Sequence, residues 1–257
     1  MLLQRLTVAT SILVLSATLY ADNPFVGKWK IDKSKSRIAG SIDSVTAAGP
    51  NTWIFAFGEF SWTVKADGTQ QPTPFGTTAM KVVSPTEWHF TNTTKDKPSG
   101  TETWVLSADG QSMTRTFTSP QANGQLASGV AKVKRIAGTS GFAGKWESTE
   151  VQMTFTEVDI SANGDDGISL LLPEDGTKYS LKFDGKEYPE EGPRIPPGLT
   201  VSAKMTGPRT VAATTRLNGK VLETEEWEVS PDGNTYTYTE HDAGAAQPVV
   251  IILHRVD

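Results

Sequence analysis

The stretch Phe25-Val-Gly-Lys-Trp29 decides the fold, because it returns later in the chain as Phe142-Ala-Gly-Lys-Trp146. A second block repeats in the same order, since Trp104-Val-Leu-Ser-Ala-Asp109-Gly110 is matched by Trp227-Glu-Val-Ser-Pro-Asp232-Gly233. Residue types that recur in one order along a chain indicate an internal duplication. The sequence therefore predicts two tandem domains of the same fold.

The spacing of the repeats locates an insertion in the second copy. Trp29 and Trp146 are 117 residues apart, whereas Trp104 and Trp227 are 123 residues apart. The extra residues fall in the proline-rich stretch 189–198, which is predicted to be a loop because proline removes a backbone donor and fixes φ. The predicted repeats span residues 22–137 and 142–257, with a short linker at 138–141.

The first 21 residues have the pattern of a secretory signal peptide. A basic residue, Arg5, precedes an apolar run from Leu6 to Tyr20, and a small residue, Ala21, follows at the expected cleavage point. A retained membrane anchor is the alternative, but the apolar run is short for a membrane-spanning helix. The pattern predicts a periplasmic or extracellular protein that is cleaved near Ala21.

The composition argues against several classes of protein. The chain has 257 residues, a net charge of −5 and no cysteine, so it has no disulfide framework and no thiol nucleophile. Its basic residues are spread along the chain, which argues against a nucleic-acid partner. Beyond residues 1–21 no segment is apolar for long enough to cross a membrane as a helix, so no membrane span is predicted for the mature form.

Hydrophobic residues alternate with polar ones at the period of a β-strand. Trp53, Phe55 and Phe57 share one face of one such run, and Tyr236 and Tyr238 share one face of another. Asp-Gly and Asn-Gly pairs, which tolerate the positive φ of tight hairpins, separate these runs. Each copy has room for seven or eight antiparallel strands, which must form a barrel or a sandwich to cover their edges. The sequence predicts an all-β protein made of two tandem barrels.

The repeated Gly27-Lys-Trp29 and Gly144-Lys-Trp146 resemble the Gly-Xaa-Trp signature that opens the first strand of lipocalin-like (calycin) barrels. The resemblance implies that each tryptophan closes one end of a barrel and that an arginine from the last strand, Arg135 or Arg255, packs over its ring. The Thr-Asp-Tyr motif of the classical lipocalins is absent. The mature chain as a whole is similar to secreted bacterial proteins with lipocalin-like repeats.

A dense aromatic set in the first copy is the candidate ligand site. In a barrel of this kind such side chains line an apolar cavity, although they could instead fill the core or face the other barrel. The second copy has fewer aromatic residues at matching positions, so the first barrel is the one expected to bind. The predicted ligand-binding residues are Trp53, Phe55, Phe57, Phe60, Trp62, Trp88 and Phe90.

No motif in the chain indicates a cofactor or a metal. The three histidines are far apart in sequence, and none has a metal-ligand spacing. An inward-pointing Glu225 would need a partner, for which Arg209 or Arg216 is the candidate. An enzyme would require an acid or base such as Glu225 or His89 to face a cavity, so the sequence leaves catalysis open while favouring a protein that is not an enzyme.

Three functions therefore remain. The favoured hypothesis is a secreted or periplasmic binding protein that holds a small apolar or amphiphilic molecule in a barrel. The alternative is a structural or interaction module of the cell envelope, with filled barrels and a protein partner. A further alternative is an isomerase, lyase or hydratase with a hydrophobic substrate. The sequence identifies neither the ligand nor the oligomeric state.

Overall fold

The fold was analysed in a computed structural model, which describes residues 23–138, 140–152, 154–242, 245 and 247–256. The predicted signal peptide at 1–21 lies outside the described residues. Within them the chain forms twenty β-strands and no helix, and every strand pairing is antiparallel, which confirms the all-β prediction. No helix capable of crossing a membrane occurs in this part of the chain.

The strands follow one another through short turns along most of the chain. The first ten are β1 (Gly27–Ile31), β2 (Ile42–Gly49), β3 (Thr52–Phe57), β4 (Phe60–Lys65), β5 (Asp67–Thr73), β6 (Gly76–Ser84), β7 (Glu87–Thr94), β8 (Lys97–Leu106), β9 (Ser112–Pro120) and β10 (Leu126–Ala137). The other ten are β11 (Gly144–Val151), β12 (Glu157–Ala162), β13 (Gly167–Leu172), β14 (Thr177–Lys182), β15 (Asp184–Glu191), β16 (Leu199–Gly207), β17 (Thr210–Leu217), β18 (Lys220–Val229), β19 (Thr235–Asp242) and β20 (Val249–Val256).

The strands form two ten-stranded barrels, more strands in each than the seven or eight that the sequence predicted. The first barrel contains β2 to β11 and is nearly closed, with its free edges at β4 and β5. The second barrel contains β12 to β20 and is closed by β1, which lies between β12 and β20. A barrel removes the exposed edges that a flat sheet of this length would leave.

The first strand of each repeat belongs to the barrel of the other repeat. Strand β1 pairs with β12 and β20, and β11 pairs with β10 and β2. The first barrel is therefore continuous over 42–151, whereas the second combines 27–31 with 157–256. Repeats at 22–137 and 142–257 describe the sequence, but the sheets cross that division, and the segment 138–141 lies in the connection between the neighbouring strands β10 and β11.

A tryptophan beneath an arginine closes one end of each barrel. The Arg255 guanidinium lies 4.2 Å from the ring centroid of Trp29, and the Arg135 guanidinium lies 4.2 Å from that of Trp146. Both indoles are almost completely buried. The expectation that each arginine covers the tryptophan of its own repeat is wrong, because the strand exchange gives each arginine the tryptophan of the other repeat.

Glycine is required two residues before each of these tryptophans. Gly27 and Gly144 have φ values of +150° and +153°. A Cβ at Gly27 would lie 2.2 Å from Nη1 of Arg255, and one at Gly144 would lie 2.6 Å from Nη1 of Arg135. The guanidinium groups use this space to reach backbone carbonyls; Nη1 of Arg255, for example, donates to the carbonyl oxygen of Val26 at 2.6 Å. The repeated glycine therefore allows the close approach that seals each barrel.

The side chain of Gln71 bridges the open seam between β4 and β5 of the first barrel. Gln71 on β5 donates from Nε2 to the carbonyl oxygen of Lys65 at 2.7 Å and accepts from the Lys65 amide at 2.8 Å. In the second barrel the corresponding strands pair through their backbones, with Tyr179 opposite Glu190. The side-chain amide of Gln71 thus replaces backbone hydrogen bonds between β4 and β5.

Each barrel has its own hydrophobic core, and a third cluster joins the two. Phe60 from the first barrel packs with Leu199 and Leu217 from the second, all at least nine-tenths buried. The barrels also meet where the amide of Ala122 donates to the carbonyl of Glu174 at 2.8 Å. The interior of each barrel is left partly unfilled, and these two interiors are the candidate sites.

Candidate functional sites in the two barrels

The first barrel encloses a cavity of about 420 Å³. Four of the seven aromatic residues predicted to bind a ligand line it: Phe55, Phe57, Trp62 and Phe90. The rings of Phe55 and Trp62 stack with a centroid separation of 5.8 Å and an interplanar angle of 16°, which forms a flat apolar wall. The structure therefore brings together the central part of the predicted set.

The other three predicted residues have packing roles. Trp88 stacks on Phe142 with a centroid separation of 3.9 Å, and Trp53 packs against Trp88 at 4.6 Å. Phe60 lies in the cluster between the barrels. None of these three lines the cavity, because Trp53 and Trp88 pack in the core of the first barrel and Phe60 packs against the second barrel. A binding role for Trp53, Phe60 or Trp88 finds no geometric support.

Paired charges line the polar side of the first cavity. Arg115 Nη2 donates to Asp43 Oδ1 at 2.9 Å, and the same guanidinium lies 4.0 Å from the ring centroid of Trp104. Glu102 accepts from Trp104 Nε1 at 2.8 Å and from Asn92 Nδ2 at 3.1 Å. Each charge has a partner, so this face can orient a polar group at a low electrostatic cost.

The proline-rich insertion of the second repeat reaches the first cavity. Arg194 from this loop lines the cavity, donates to Ser119 Oγ at 3.2 Å, and donates to Asp175 Oδ2 at 2.7 Å. Asp175 is 2% exposed, so the ion pair anchors the loop against both barrels. The predicted loop at 189–198 thus helps to cover the first barrel.

The second barrel holds a cavity of about 390 Å³ with a different lining. Aliphatic side chains such as Leu170, Leu172 and Ile251 form its apolar wall. The polar wall is rich in carboxyl and phenol groups, and it contains no lysine or arginine among the described residues. Its acids and phenols are Glu190, Glu223, Glu225, Glu240, Tyr179, Tyr236 and Tyr238, and hydroxyls come from Ser41, Thr177 and Thr215.

Glu225 is the most deeply buried of these acids. It is 5% exposed, and it accepts from Thr215 Oγ1 at 2.6 Å and from Trp227 Nε1 at 2.8 Å. Burial raises its pKa, and these hydrogen bonds to the charged form oppose the rise. The expectation of an arginine partner is wrong, since Arg209 donates to the Ser230 carbonyl and Arg216 to Ser202 Oγ.

Three further acids face the same space. Burial raises the pKa of Glu190 to about 7 and that of Glu240 to about 8. The pKa of Glu223 is raised well above its ordinary value, first by burial and then by the negative charge of Glu240. One carboxylate oxygen from each of Glu223, Glu240 and Asp242 lies within 4.8 Å of the others. This trio is the arrangement in the described residues that could hold a cation.

The histidines do not contribute to either cavity. His89 is partly exposed and lies 2.7 Å from Glu87 Oε1, and His254 lies 3.1 Å from Asp32 Oδ2. Of the two acid–base candidates in the sequence, only Glu225 lines a cavity. The sequence did contain a signal for Glu225. Glu102 of the first repeat and Glu225 of the second lie at equivalent positions, each two residues before a repeated tryptophan.

No family model and no curated protein matches this chain. The structure shows two antiparallel ten-stranded barrels, each closed at one end by a tryptophan and an arginine. Any statement about ligands therefore rests on the chemistry of the two cavities.

Proposed function

We propose that this chain is a small-molecule binding protein that holds an apolar or amphiphilic ligand in the first barrel. The observation that supports this proposal is the cavity of about 420 Å³, which combines an aromatic wall with paired charges. Ligand sites of this size are lined mainly by apolar and aromatic side chains with a few placed polar groups. A ligand with an apolar body against Phe55 and Trp62 and a polar end near Arg115 fits this lining.

Two further features support a lipocalin-like protein outside the cytoplasm. The Gly-Xaa-Trp motifs open strands whose tryptophans lie under arginines, as the resemblance to lipocalin-like barrels implied. The basic, apolar and small-residue pattern of residues 1–21 supports export to the periplasm or the medium. An envelope interaction module with filled barrels is less well supported, because both barrels enclose cavities.

Native mass spectrometry of the protein purified gently from its own compartment tests the proposal. We expect a complex with one small molecule that is released on denaturation and identified by its mass. Trp62→Ala removes half of the stacked wall, so it should weaken binding of the released compound, or of 1-anilinonaphthalene-8-sulfonate, about tenfold.

Trp53→Ala is the matched control, because it removes an indole from the same barrel but not from the cavity lining. It should lower stability while the folded protein keeps its affinity. A ligand-free mass together with no thermal shift against a panel of lipids and hydrophobic compounds would overturn the proposal. Equal loss of affinity in Trp62→Ala and Trp53→Ala would also contradict a site in the first cavity.

A further inference from the structure

The cavity of the second barrel presents carboxyl groups in directly opposed pairs. In the register of β18 and β19, Glu223 lies opposite Asp242 and Glu225 lies opposite Glu240. Like charges placed directly opposite each other destabilise a sheet. Glu190 adds another carboxyl group from β15. The acids come from three strands and converge on one space, so they are not a single solvated strand face.

Among the described residues, the acids have no internal cation to balance them. The first cavity has Arg115 and Arg194 in its lining, whereas the described lining of the second includes neither lysine nor arginine. Glu190 makes no hydrogen bond or ion pair with any described residue. Asp242 accepts from Ser41 Oγ, which is neutral. A buried carboxylate without a positive partner must take up a proton or a cation from outside.

A second observation points to a ligand independently of the acids. Tyr236 is 3% exposed and lines the cavity, yet its hydroxyl makes no hydrogen bond with any described residue. A buried phenol normally has a partner, because the lost hydrogen bond to water is otherwise uncompensated. Tyr179 also lines the cavity without such a partner for its hydroxyl. The hydroxyl groups of Tyr236 and Tyr179, on opposite sides of the cavity, are thus available to hydrogen-bond with a ligand.

The shape of the lining distinguishes between kinds of cation. A divalent metal ion requires several converging oxygen ligands and usually keeps bound water. Glu223, Glu240 and Asp242 converge in this way, but the rest of the cavity is walled by side chains such as Leu170, Leu172 and Ile251. This wall gains nothing from a bare ion, whereas it can bury a hydrocarbon or an aromatic ring at about 25 cal/mol per Å².

We propose that the second barrel binds an organic ammonium ion with an apolar body, whose nitrogen is held by Glu223, Glu225 and Glu240. The nitrogen donates hydrogen bonds to the carboxylates, and the apolar body lies against the aliphatic wall. This site uses a different cavity from the first-barrel ligand and does not depend on it.

Binding must be linked to protons. The titratable groups that face the nitrogen are Glu190 from β15, Glu223 and Glu225 from β18, Glu240 and Asp242 from β19, and the phenols Tyr179, Tyr236 and Tyr238. Near neutral pH the empty cavity holds protons on some of these carboxyl groups, and an ammonium ion replaces them. Affinity should therefore rise as the pH increases from about 6 to about 9, with proton release to the buffer.

Isothermal titration of the full mature chain tests the site with matched probes. Octylammonium, octanol and octanoate share one hydrocarbon chain and differ in charge. We expect octylammonium to bind at least about tenfold more tightly than octanol at pH 8, octanoate to bind more weakly still, and titrations in buffers of different ionisation enthalpy to reveal proton release. Calcium, magnesium and zinc chlorides test whether the acids bind a metal ion instead, and none of them should compete with octylammonium.

Variants test whether the carboxyl groups of β18 and β19 hold the amine. E223Q together with E240Q should weaken octylammonium binding at least about tenfold, without unfolding, because amides replace carboxyl groups of the same shape. The control is E226Q together with E228Q, whose exposed side chains lie on the opposite face of β18. Trp62→Ala should also leave octylammonium affinity unchanged, which separates this site from the first cavity.

Several results would overturn the assignment. Equal affinity for octylammonium and octanol would show that the carboxyl groups do not recognise charge. Stabilisation by a metal ion that displaces octylammonium would assign the acids to a metal site instead. Undiminished octylammonium binding by the double variant of Glu223 and Glu240 would place the amine elsewhere.

Discussion

The two barrels share a framework and differ in the charge of their interiors. In both, a glutamate two residues before a tryptophan accepts a 2.8 Å hydrogen bond from that indole, as Glu102 does from Trp104 and Glu225 from Trp227. Both glutamates also accept from a neighbouring strand, at Asn92 in one barrel and Thr215 in the other. The two copies thus share, at equivalent positions, a carboxylate that is hydrogen-bonded to an indole.

The divergence lies in the residues around this carboxylate. Strand register places Arg115 of the first barrel opposite Trp104, and Tyr238 holds the equivalent place opposite Trp227. In the same way Phe117 lies opposite Glu102, whereas Glu240 lies opposite Glu225. The first copy thus places a guanidinium, paired with Asp43, in the same cavity as its glutamate, whereas the second has an added carboxyl group and no lysine or arginine among the described lining residues. One scaffold therefore supports one interior with balanced charges and another with an excess of negative charge.

The largest expected effect concerns the exchanged strands. Trp29→Ala and Trp146→Ala should each lower the free energy of unfolding by about 3–5 kcal/mol, because each removes a buried indole and leaves a cavity beneath an arginine. Hydrogen exchange should then show where the damage lies. Since β1 belongs to the second barrel, Trp29→Ala should expose amides in β12 and β20, while Trp146→Ala should expose β2 and β10.

The pattern of exchange tests the architecture itself. If Trp29→Ala instead loosened β10 and left β20 protected, each repeat would close on its own first strand. An exposed substitution such as Leu126→Ala controls for nonspecific effects, since this side chain is 68% exposed. It should change stability by less than about 0.5 kcal/mol.

The exchange was hidden in the sequence because the two opening strands are nearly identical. Either Gly-Lys-Trp segment can pair beside β10 or β20, so local sequence does not select between the partners. The connection length does contain the information, since only residues 138–143 separate β10 from β11. Such a short connection favours a hairpin between neighbouring antiparallel strands. The hairpin order itself was predictable, because period-two patterns and Asp-Gly turns are local signals.

The second expected effect is a pH dependence that belongs to the second barrel. The pKa values of Glu190 and Glu240 are about 7 and about 8 in the folded protein, above the ordinary value of 4.5. The folded state therefore binds more protons than the unfolded state between these limits, so stability falls as the pH rises. The stabilisation is complete below about pH 4.5 and should be lost by about pH 8, with a change on the order of several kcal/mol.

Denaturant unfolding of the ligand-free protein from pH 5 to pH 8.5 measures this slope. Glu240→Gln should flatten it, because an amide carries no charge at either end of the range. Glu226→Gln, an exposed change on β18, should leave it as in the parent protein. A steeper loss of stability in Glu240→Gln would mean that the titrating group is elsewhere.

The acidic cavity could not be found from periodicity alone. The alternation around Trp227 places Glu225 on the inward face of its strand, but a glutamate there violates the apolar pattern of a barrel interior, so periodicity does not indicate that several acids converge on one cavity. Aromatic residues follow the pattern, and four of the seven predicted ones line the first cavity. The other three, Trp53, Phe60 and Trp88, pack elsewhere because barrel curvature and the interface between barrels are set by distant residues.

The smallest expected effect lies at the open seam of the first barrel. Gln71→Ala removes both hydrogen bonds to Lys65, so the Lys65 amide should exchange faster and stability should fall by about 1 kcal/mol. Lys178→Ala near the matching junction removes an exposed ion pair with Glu191 and should cost less than about 0.5 kcal/mol, since β14 and β15 pair through their backbones. If both variants lowered the free energy of unfolding equally, the junction between β4 and β5 would be no weaker than the backbone-paired junction between β14 and β15. If amide exchange increased near β4 and β5 only in Gln71→Ala, this junction would be the place where the first barrel opens. Such an opening would give a ligand a route to the first cavity, and the closed second barrel has no corresponding free edge.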